Sequence, residues 1–233
     1  MKICIPTYNR PELKTYPLAC SIVGEENVFV FFHNAEDREK YAPNIRNAVI
    51  TNKDRGNAQA RNSILEYFPE GEEIVMMDDD ITEISKMVFN RLYRLNAESI
   101  RAQFEICFEL CRQNKVYLWG VYPVNDAFYM KTKISNKCLM IGWIMGIVIN
   151  KLRFDETLYS KVDYDYGLQN ILMYKKIARF DYLTCNAKIN TKGGLDFMYG
   201  TELQKQSYEL FLKKWAGYVK INPRKEGEVI LNI

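Results

Sequence analysis

The chain has 233 residues, of which 48% are hydrophobic and 26% charged, and its formal net charge is +3. These values are ordinary for a soluble globular protein, so we predict a single domain over residues 1–233. The mild charge neither requires nor excludes a polyanionic partner, whereas the single histidine, His33, excludes any mechanism that needs a histidine pair.

The apolar pattern and the cysteines also predict the cellular compartment of the protein. Residues 1–6 are too short for the apolar region of a signal peptide. The longest apolar stretch, residues 138–149, is shorter than a membrane span and is predicted to be a buried strand. Six cysteines are scattered without the spacing of a zinc site, so we expect reduced, mostly buried thiols. We therefore predict a cytoplasmic protein with no membrane partner.

Short apolar runs alternate with helical patterns through the first half of the chain. Strands are predicted at residues 2–5, 27–33, 47–51 and 74–77, and helices at 36–41 and 56–68. This alternation predicts the α/β class, with a mixed, mostly parallel sheet flanked by helices. Ligands of such sheets bind beyond the carboxyl ends of the strands. We therefore expect three segments to gather at one edge, namely residues 6–10, 54–57 and 78–80.

The second half is more mixed. Residues 84–114 have long helical spacing, which predicts two helices meeting near residues 96–98. Further strands are predicted at 117–124, 138–149 and 179–184. Further helices are predicted at 163–176 and 203–215, with a flexible turn at 191–194.

Three consecutive aspartates, Asp78, Asp79 and Asp80, follow the apolar run at residues 73–77. Like charges a few ångströms apart repel by roughly 1–4 kcal/mol per pair, so water or a positive group must offset the repulsion. One interpretation is a solvated loop or a helix that begins at Asp80, because aspartate is favoured at helix N-caps. The other is a divalent cation, which prefers carboxylate oxygens and keeps substrate phosphates as further ligands.

The segment after the first strand has the side chains of a nucleotide site. Pro6 stops the strand, and Thr7, Tyr8 and Arg10 follow it. A ring, hydroxyl groups and a cation suit a nucleobase and its phosphates. The alternative is a polar turn after an edge strand.

A small-residue segment opens the helix at residues 56–68. Arg55, Asn57 and Arg61 lie in or beside its first turns. A helix N-terminus favours anions, and an arginine can bind phosphate with two hydrogen bonds. The alternative is an amphipathic helix with both arginines in solvent.

Two carboxylates, Asp163 and Asp165, stand at the start of a later helix. A carboxylate in this position can act as a general base toward an acceptor hydroxyl. The alternative is that Asp163 or Asp165 caps the helix.

In this order the segments resemble the nucleotide-sugar glycosyltransferases of the GT-A fold, especially the family-2-like ones, over about residues 2–195. The matching motifs read PTYNR, GN…ARN, DDD and VDYD. The resemblance implies metal-dependent sugar transfer from a nucleotide-sugar, a UDP-sugar above all, with Mn²⁺ or Mg²⁺ as cofactor. It implies donor contacts from Pro6, Thr7, Tyr8, Arg10, Arg55, Asn57, Arg61, Asp78 and Asp79, metal ligands in Asp80 and Asp78, and a catalytic base in Asp163 or Asp165.

Two departures from the family pattern stand out. Such enzymes often supply a late histidine to the metal, and here no histidine follows His33. Asn190, Lys192 or Asp196 is expected to replace it, or else phosphates complete the metal shell. The glutamate of the common ED pair is replaced by Val162.

The short chain and its VDYDYGLQN and KGG segments resemble the phage glycosyltransferases that modify hydroxymethylated pyrimidines in DNA. This resemblance implies a DNA acceptor and a protein that is located in the host cytoplasm. Phosphate contacts are then expected from Lys131, Lys133, Lys137, Lys175, Lys176, Lys213 and Lys214; the alternative is that these lysines are ordinary solvated side chains. Two other functions remain open: a sugar-phosphate nucleotidyltransferase and a non-catalytic nucleotide-sugar-binding module.

Overall fold

A computed structural model describes residues 1–52, 56–187 and 201–232. The helices are α1 (Thr15–Val23), α2 (Ala35–Tyr41), α3 (Asn57–Tyr67), α4 (Ala97–Asn114), α5 (Val162–Tyr174) and α6 (Glu202–Lys214), with a short 3₁₀ turn at Glu25–Asn27. The strands are β1 (Lys2–Thr7), β2 (Val28–Phe32), β3 (Ala48–Ile50), β4 (Glu73–Met77), β5 (Ile81–Val88), β6 (Arg91–Arg94), β7 (Leu118–Tyr122), β8 (Ile134–Ser135), β9 (Ile144–Val148), β10 (Ala178–Ala187), β11 (Val219–Ile221) and β12 (Val229–Leu231).

A 10-stranded sheet organises these elements in the order β3-β2-β1-β4-β9-β7-β10-β5-β6, with β8 beside β10. Strands β1 to β4 pair in parallel, β9 lies antiparallel between β4 and β7, and β10 is parallel to β7. Strands β5 and β8 also run opposite to the majority. The predicted α/β class with a mixed, mostly parallel sheet is confirmed. Strands β11 and β12 form a separate hairpin.

Both faces of the sheet are buried, because successive side chains of a strand point to opposite faces. On β1, Ile3 and Ile5 belong to one core cluster and Cys4 belongs to the other. Helices α1 and α4 contribute to the first cluster, and α3, α5 and α6 contribute to the second. The nearly all-apolar sequence of β2 follows from this double coverage.

The prediction of a helix over residues 84–95 is wrong, and so is the interpretation in which Asp80 opens a helix. This region forms a hairpin of β5 and β6. Phe89 and Asn90 have φ of 49° and 59°, and two consecutive positive φ values characterise the tight turns that match strand twist. Strand β5 also pairs with β10, so tertiary pairing overrides the helical spacing of the apolar residues. The second predicted helix of this region is confirmed as α4.

Two further differences concern the surroundings of the sheet edge. Helix α1 was not predicted; its Pro17 lies in the first turn, where a helix tolerates proline. The strand predicted at 138–149 is confirmed only as β9, because residues 138–143 form an irregular segment that approaches α3 and α5. The turn predicted at residues 191–194 lies outside the described residues.

Composition-based expectations can be compared with the structure as well. In the ranges that the structure describes, no helix combines the length and the apolar character needed to span a bilayer. The six cysteines are free thiols, and Cys4, Cys107, Cys111 and Cys185 are buried, in agreement with the prediction.

A close contact between β7 and β9 gives a test of the fold. Gly146 pairs with Trp119, and a Cβ on Gly146 would lie 1.8 Å from Cε2 of that buried indole. Overpacking of a core costs about 1–3 kcal/mol or more, and we expect Gly146→Ala to lower the free energy of unfolding by about 3 kcal/mol. Gly56→Ala is the control, since its added methyl would lie 3.8 Å from the nearest atom. Equal stability of the two variants in urea denaturation would contradict the packing described.

Candidate functional site

The aspartate triplet follows β4 in a turn whose backbone is held from two sides. The Asp78 N–H donates to the Trp143 carbonyl at 3.0 Å. The Thr15 hydroxyl, at the start of α1, donates to the Asp78 carbonyl at 2.5 Å and accepts from the Ile81 N–H at 2.8 Å. Thr15 was not singled out in the sequence, because its role depends on the position of α1 against the sheet edge.

Arg61 connects the triplet to α3 and to the segment before β9. The side chain is only 1% exposed. Its Nη2 donates to Asp78 Oδ1 at 2.8 Å and to the Gly142 carbonyl at 3.1 Å, and its Nε donates to Asn57 Oδ1 at 2.7 Å. The Gly142 N–H in turn donates to Asp163 Oδ2 at 2.9 Å. A continuous chain of hydrogen bonds therefore runs from Asp78 to Asp163.

Gly142 is a site residue that sequence reasoning missed. A Cβ at this position would lie 2.7 Å from Arg61 Nη2, so only glycine lets the backbone approach the guanidinium this closely. The available signal was a glycine inside an apolar run, which often marks a close backbone approach. The apolar character of that run predicts a strand instead.

The end of β1 contacts the other two aspartates. The Thr7 hydroxyl donates to Asp79 Oδ2 at 2.8 Å, and Arg10 Nε donates to Asp79 Oδ1 at 2.9 Å. Arg10 Nη2 lies 3.4 Å from Asp80 Oδ2, and the rings of Tyr8 and His33 pack edge to face with their centroids 5.2 Å apart. The structure thus brings the ends of β1 and β4 together, as we predicted from the parallel sheet. Pro6 lies in β1 opposite Phe31.

The carboxyl groups of this corner have raised pKa values. Burial raises the pKa of Asp78 to about 7, with Arg61 acting in the opposite direction and the neighbouring aspartates adding to the rise. Burial also raises the pKa of Asp79 to about 6, against the effects of Arg10 and Thr7. The pKa of Asp163 is raised by burial and lowered in part by Arg61. Burial therefore disfavours the ionised forms of these three carboxyl groups by more than the neighbouring arginines favour them.

A cavity of about 310 Å³ borders this corner. Asn57, Arg61 and Asp78 line one end, and Asp163 joins it to a second end near the start of α5. The complete lining comprises Asn57, Arg61, Asp78, Ile141, Gly142, Trp143, Tyr159, Ser160, Lys161, Val162, Asp163, Tyr164, Gln204 and Glu228. Gln204 comes from α6, and Glu228 comes from the turn before β12; neither was identified from the sequence.

The structure does not bring Asp165 to the cavity. Its side chain is fully buried and accepts hydrogen bonds from Trp215 Nε1 at 2.8 Å and Gln169 Nε2 at 2.7 Å. Lys214 Nζ lies 2.7 Å from it and 2.6 Å from Asp155. Lys214 is therefore held by two carboxylates, which corrects its assignment to a phosphate-binding surface. Arg55, Asn190, Lys192 and Asp196 lie outside the described residues.

The donors present fit a divalent cation that keeps part of its shell for substrate. Among the described residues, no group of three or more histidine, cysteine or acidic side chains surrounds a common point. Asp78 and Asp80 nevertheless offer hard carboxylate oxygens at a strand end, and Asp78 Oδ2 accepts no hydrogen bond in the described part of the chain. Mg²⁺ is commonly bound by one or two carboxylates together with substrate phosphates and water.

Comparison with known proteins supports the fold alone. No protein-family model and no curated protein matches the chain. Among solved structures, TarS 1–349 from S. aureus aligns with a TM-score of 0.50 at 15% identity, over 78% of this chain and 58% of TarS 1–349. CMP:2-keto-3-deoxy-manno-octonic acid synthetase complexed with CTP aligns with a TM-score of 0.48 at 9% identity, over 77% and 88% of the respective chains. The likeness to TarS 1–349 supports a GT-A-like, Rossmann-like fold for this chain.

The raised pKa of Asp78 predicts a pH-dependent stability. A carboxyl whose folded pKa exceeds its unfolded value of about 3.9 stabilises the fold at low pH, and this contribution is lost as the pH rises toward 7. Because 29% of the side chain is exposed, we expect wild type to lose about 2 kcal/mol more than Asp78→Asn between pH 4 and pH 8. Urea denaturation in metal-free buffer measures this difference.

The control for this experiment is Asp126→Asn in an exposed loop, where the Phe128 N–H can still donate to the new side chain. We expect its pH dependence to match that of wild type. If Asp78→Asn also follows wild type across the pH range, the pKa of Asp78 is not raised in the folded protein.

Proposed function

We propose that this protein transfers a sugar from a UDP-sugar to a hydroxyl acceptor, with Mn²⁺ or Mg²⁺ bound at the aspartate triplet. The observation that carries the proposal is the hydrogen-bond chain from Asp78 through Arg61 and Gly142 to Asp163, located beside a cavity in a GT-A-like fold. Sugar transfer needs a charge-compensating group at the diphosphate and a base near the acceptor. Asp78 and Asp163, at the two ends of this series of hydrogen bonds, are suited to those tasks.

The donor would occupy the corner between β1, β4 and α3. The nucleoside part of the donor would be contacted by Thr7, Tyr8 and Arg10, together with Pro6 and Asp79. Arg55, which lies outside the described residues, is expected to contribute as well. Arg61 is already bonded to Asp78, Gly142 and Asn57, so its main contribution would be to hold these groups in position. Asp78 would then face the ribose or the sugar.

Asp80 and Asp78 would hold the metal with the diphosphate oxygens. When bound, the cation would stabilise the negative charge that develops on the leaving nucleotide diphosphate. The carboxylates of Asp78 and Asp80 repel one another, and a cation bound by both would relieve that repulsion.

Asp163 would act as the general base. The acceptor O–H would give its proton to this carboxylate while the acceptor oxygen bonds to the anomeric carbon. The bond from that carbon to the diphosphate oxygen would break, and its electron pair would leave with the nucleotide diphosphate. Burial raises the pKa of Asp163, which makes its carboxylate a stronger base than a solvated one. The family-2 likeness favours inversion at the anomeric carbon.

The rival functions lead to different products. A sugar-phosphate nucleotidyltransferase would release pyrophosphate from a nucleoside triphosphate, and a non-catalytic module would bind nucleotide-sugars without turnover. The cavity does not support the DNA acceptor that the resemblance to phage DNA glycosyltransferases implies. None of the seven lysines expected to follow a phosphate backbone lines it, and Lys214 is paired with Asp155 and Asp165.

The proposed metal site gives the main test. Calorimetric titration of UDP-glucose, UDP-galactose and UDP-N-acetylglucosamine with Mn²⁺ should show metal-dependent binding of at least one donor. We expect Asp80→Ala to weaken that binding by about tenfold or more, equivalent to about 1.4 kcal/mol, since it removes a carboxylate ligand. Asp126→Ala, in an exposed loop, is the control. Equal metal-dependent binding by Asp80→Ala and wild type would remove Asp80 from the site.

A second prediction concerns the base. Asp163→Asn keeps the size of the side chain and an oxygen that can accept from the Gly142 N–H, but cannot take up a proton. We expect kcat for sugar transfer to fall by about 10²–10⁴-fold, whereas the Kd of the UDP-sugar stays within about twofold of wild type. A variant that retains wild-type kcat would exclude Asp163 as the base.

A further inference from the structure

The end of the cavity away from the aspartate triplet is formed by side chains that the donor and metal do not use. Glu228 Oε2 accepts from Lys161 Nζ at 2.8 Å and from the Tyr164 hydroxyl at 3.2 Å. Lys161 and Tyr164 lie at the start of α5, and Glu228 lies just before β12. The C-terminal hairpin therefore completes this end of the cavity, which we call the hairpin end.

The charges of the hairpin end are predominantly negative. The ammonium group of Lys161 is paired with Glu228, whereas Asp163 adds a second carboxylate beside them. Lys225 Nζ is 3.8 Å from Glu228 Oε1, but its side chain is 72% exposed, so solvent screens most of its effect. The pKa of Tyr164 is raised by burial and further by Asp163 and Glu228, in agreement with a negative potential.

The same end also has two polar atoms that make no hydrogen bond with the described residues. Ser160 Oγ is buried and makes no hydrogen bond with the described residues, although the Ser207 hydroxyl bonds the Ser160 backbone. Leaving a buried hydroxyl unpaired is unfavourable, and a ligand group that hydrogen-bonds it would recover this cost. Glu228 Oε1 likewise accepts no hydrogen bond from the described part of the chain. At the rim, Tyr159 exposes 38% of its surface.

We propose that the hairpin end is the acceptor subsite and that it takes an uncharged saccharide; this rests on the proposed sugar transfer. Saccharide hydroxyls both donate and accept, which suits Glu228 Oε1 and the hydroxyl of Ser160. The ring of Tyr159 offers an apolar surface with a polar edge for the sugar face. A phosphorylated sugar or a DNA strand would instead bring its anionic groups toward Asp163 and Glu228, and like charges disfavour such a partner.

The experiment compares matched neutral and anionic acceptors in a complex that cannot turn over. Wild type saturated with Mn²⁺ and UDP is titrated with the methyl glycosides of glucose, galactose and N-acetylglucosamine, with the corresponding 6-phosphates, and with a duplex containing 5-hydroxymethylcytosine. We expect at least one neutral glycoside to bind about tenfold or more tightly than its own 6-phosphate. The duplex should not compete with that glycoside.

Glu228→Gln tests the origin of this preference. The amide keeps the shape of the side chain and removes its charge, so the preference for the neutral glycoside should fall by about fivefold or more. Glu226→Gln, an exposed residue of the same turn, should leave it unchanged. Tyr159→Ser leaves the Lys161–Glu228 pair intact. It should therefore weaken the binding of neutral and phosphorylated sugars by the same factor. Thermal unfolding of each variant verifies that it is folded.

Several results would overturn the proposal: no neutral glycoside of the panel binds, a 6-phosphate or the duplex binds as tightly, or Glu228→Gln keeps the full preference. UDP binding in the same protein separates these outcomes from failure of the proposed function. If UDP binds with Mn²⁺ and the binding needs Asp80, sugar transfer stands and only the acceptor subsite is wrong. If UDP does not bind, the proposed function itself fails.

Discussion

The buried guanidinium of Arg61 is the interaction on which the candidate site depends. An arginine that is 1% exposed would be strongly destabilising without partners. Here its donors bond Asp78, Asn57 and the Gly142 carbonyl, and its plane lies 5.7 Å from the Phe154 ring. Because these partners come from different elements, the pairing holds the end of β4, the first turn of α3 and the segment before β9 in one arrangement.

Around this centre, acidic groups outnumber basic ones. Arg61 and Arg10 face Asp78, Asp79 and Asp80, with Asp163 close behind. Burial raises the pKa values of Asp78 and Asp79, the neighbouring Asp80 adds to the rise, and Arg61 and Arg10 oppose it. The fold thus accepts a local electrostatic cost at a sheet edge, where ligands of α/β proteins commonly bind.

The two ends of the cavity come from different parts of the chain. The donor end is built by Asp78 after β4, by α3 and by the segment before β9, whereas the hairpin end is built by α5, α6 and the C-terminal hairpin. Asp163 belongs to both, since it accepts from Gly142 and directly precedes Tyr164. A base in this position is suited to act on a hydroxyl held between a donor and a second sugar.

The sequence by itself determined the alternation of β2, β3 and β4 with α2 and α3 and the position of the triplet at a strand end, because these follow from local apolar runs and turn residues. It also carried the information that Asp163 and Asp165 diverge, since residues two apart on a helix do not share a face. Only tertiary structure decided that β5 pairs with β10, that Gly142 contacts Arg61 and that Glu228 reaches α5. These depend on contacts between residues distant in the chain, which local periodicity does not encode.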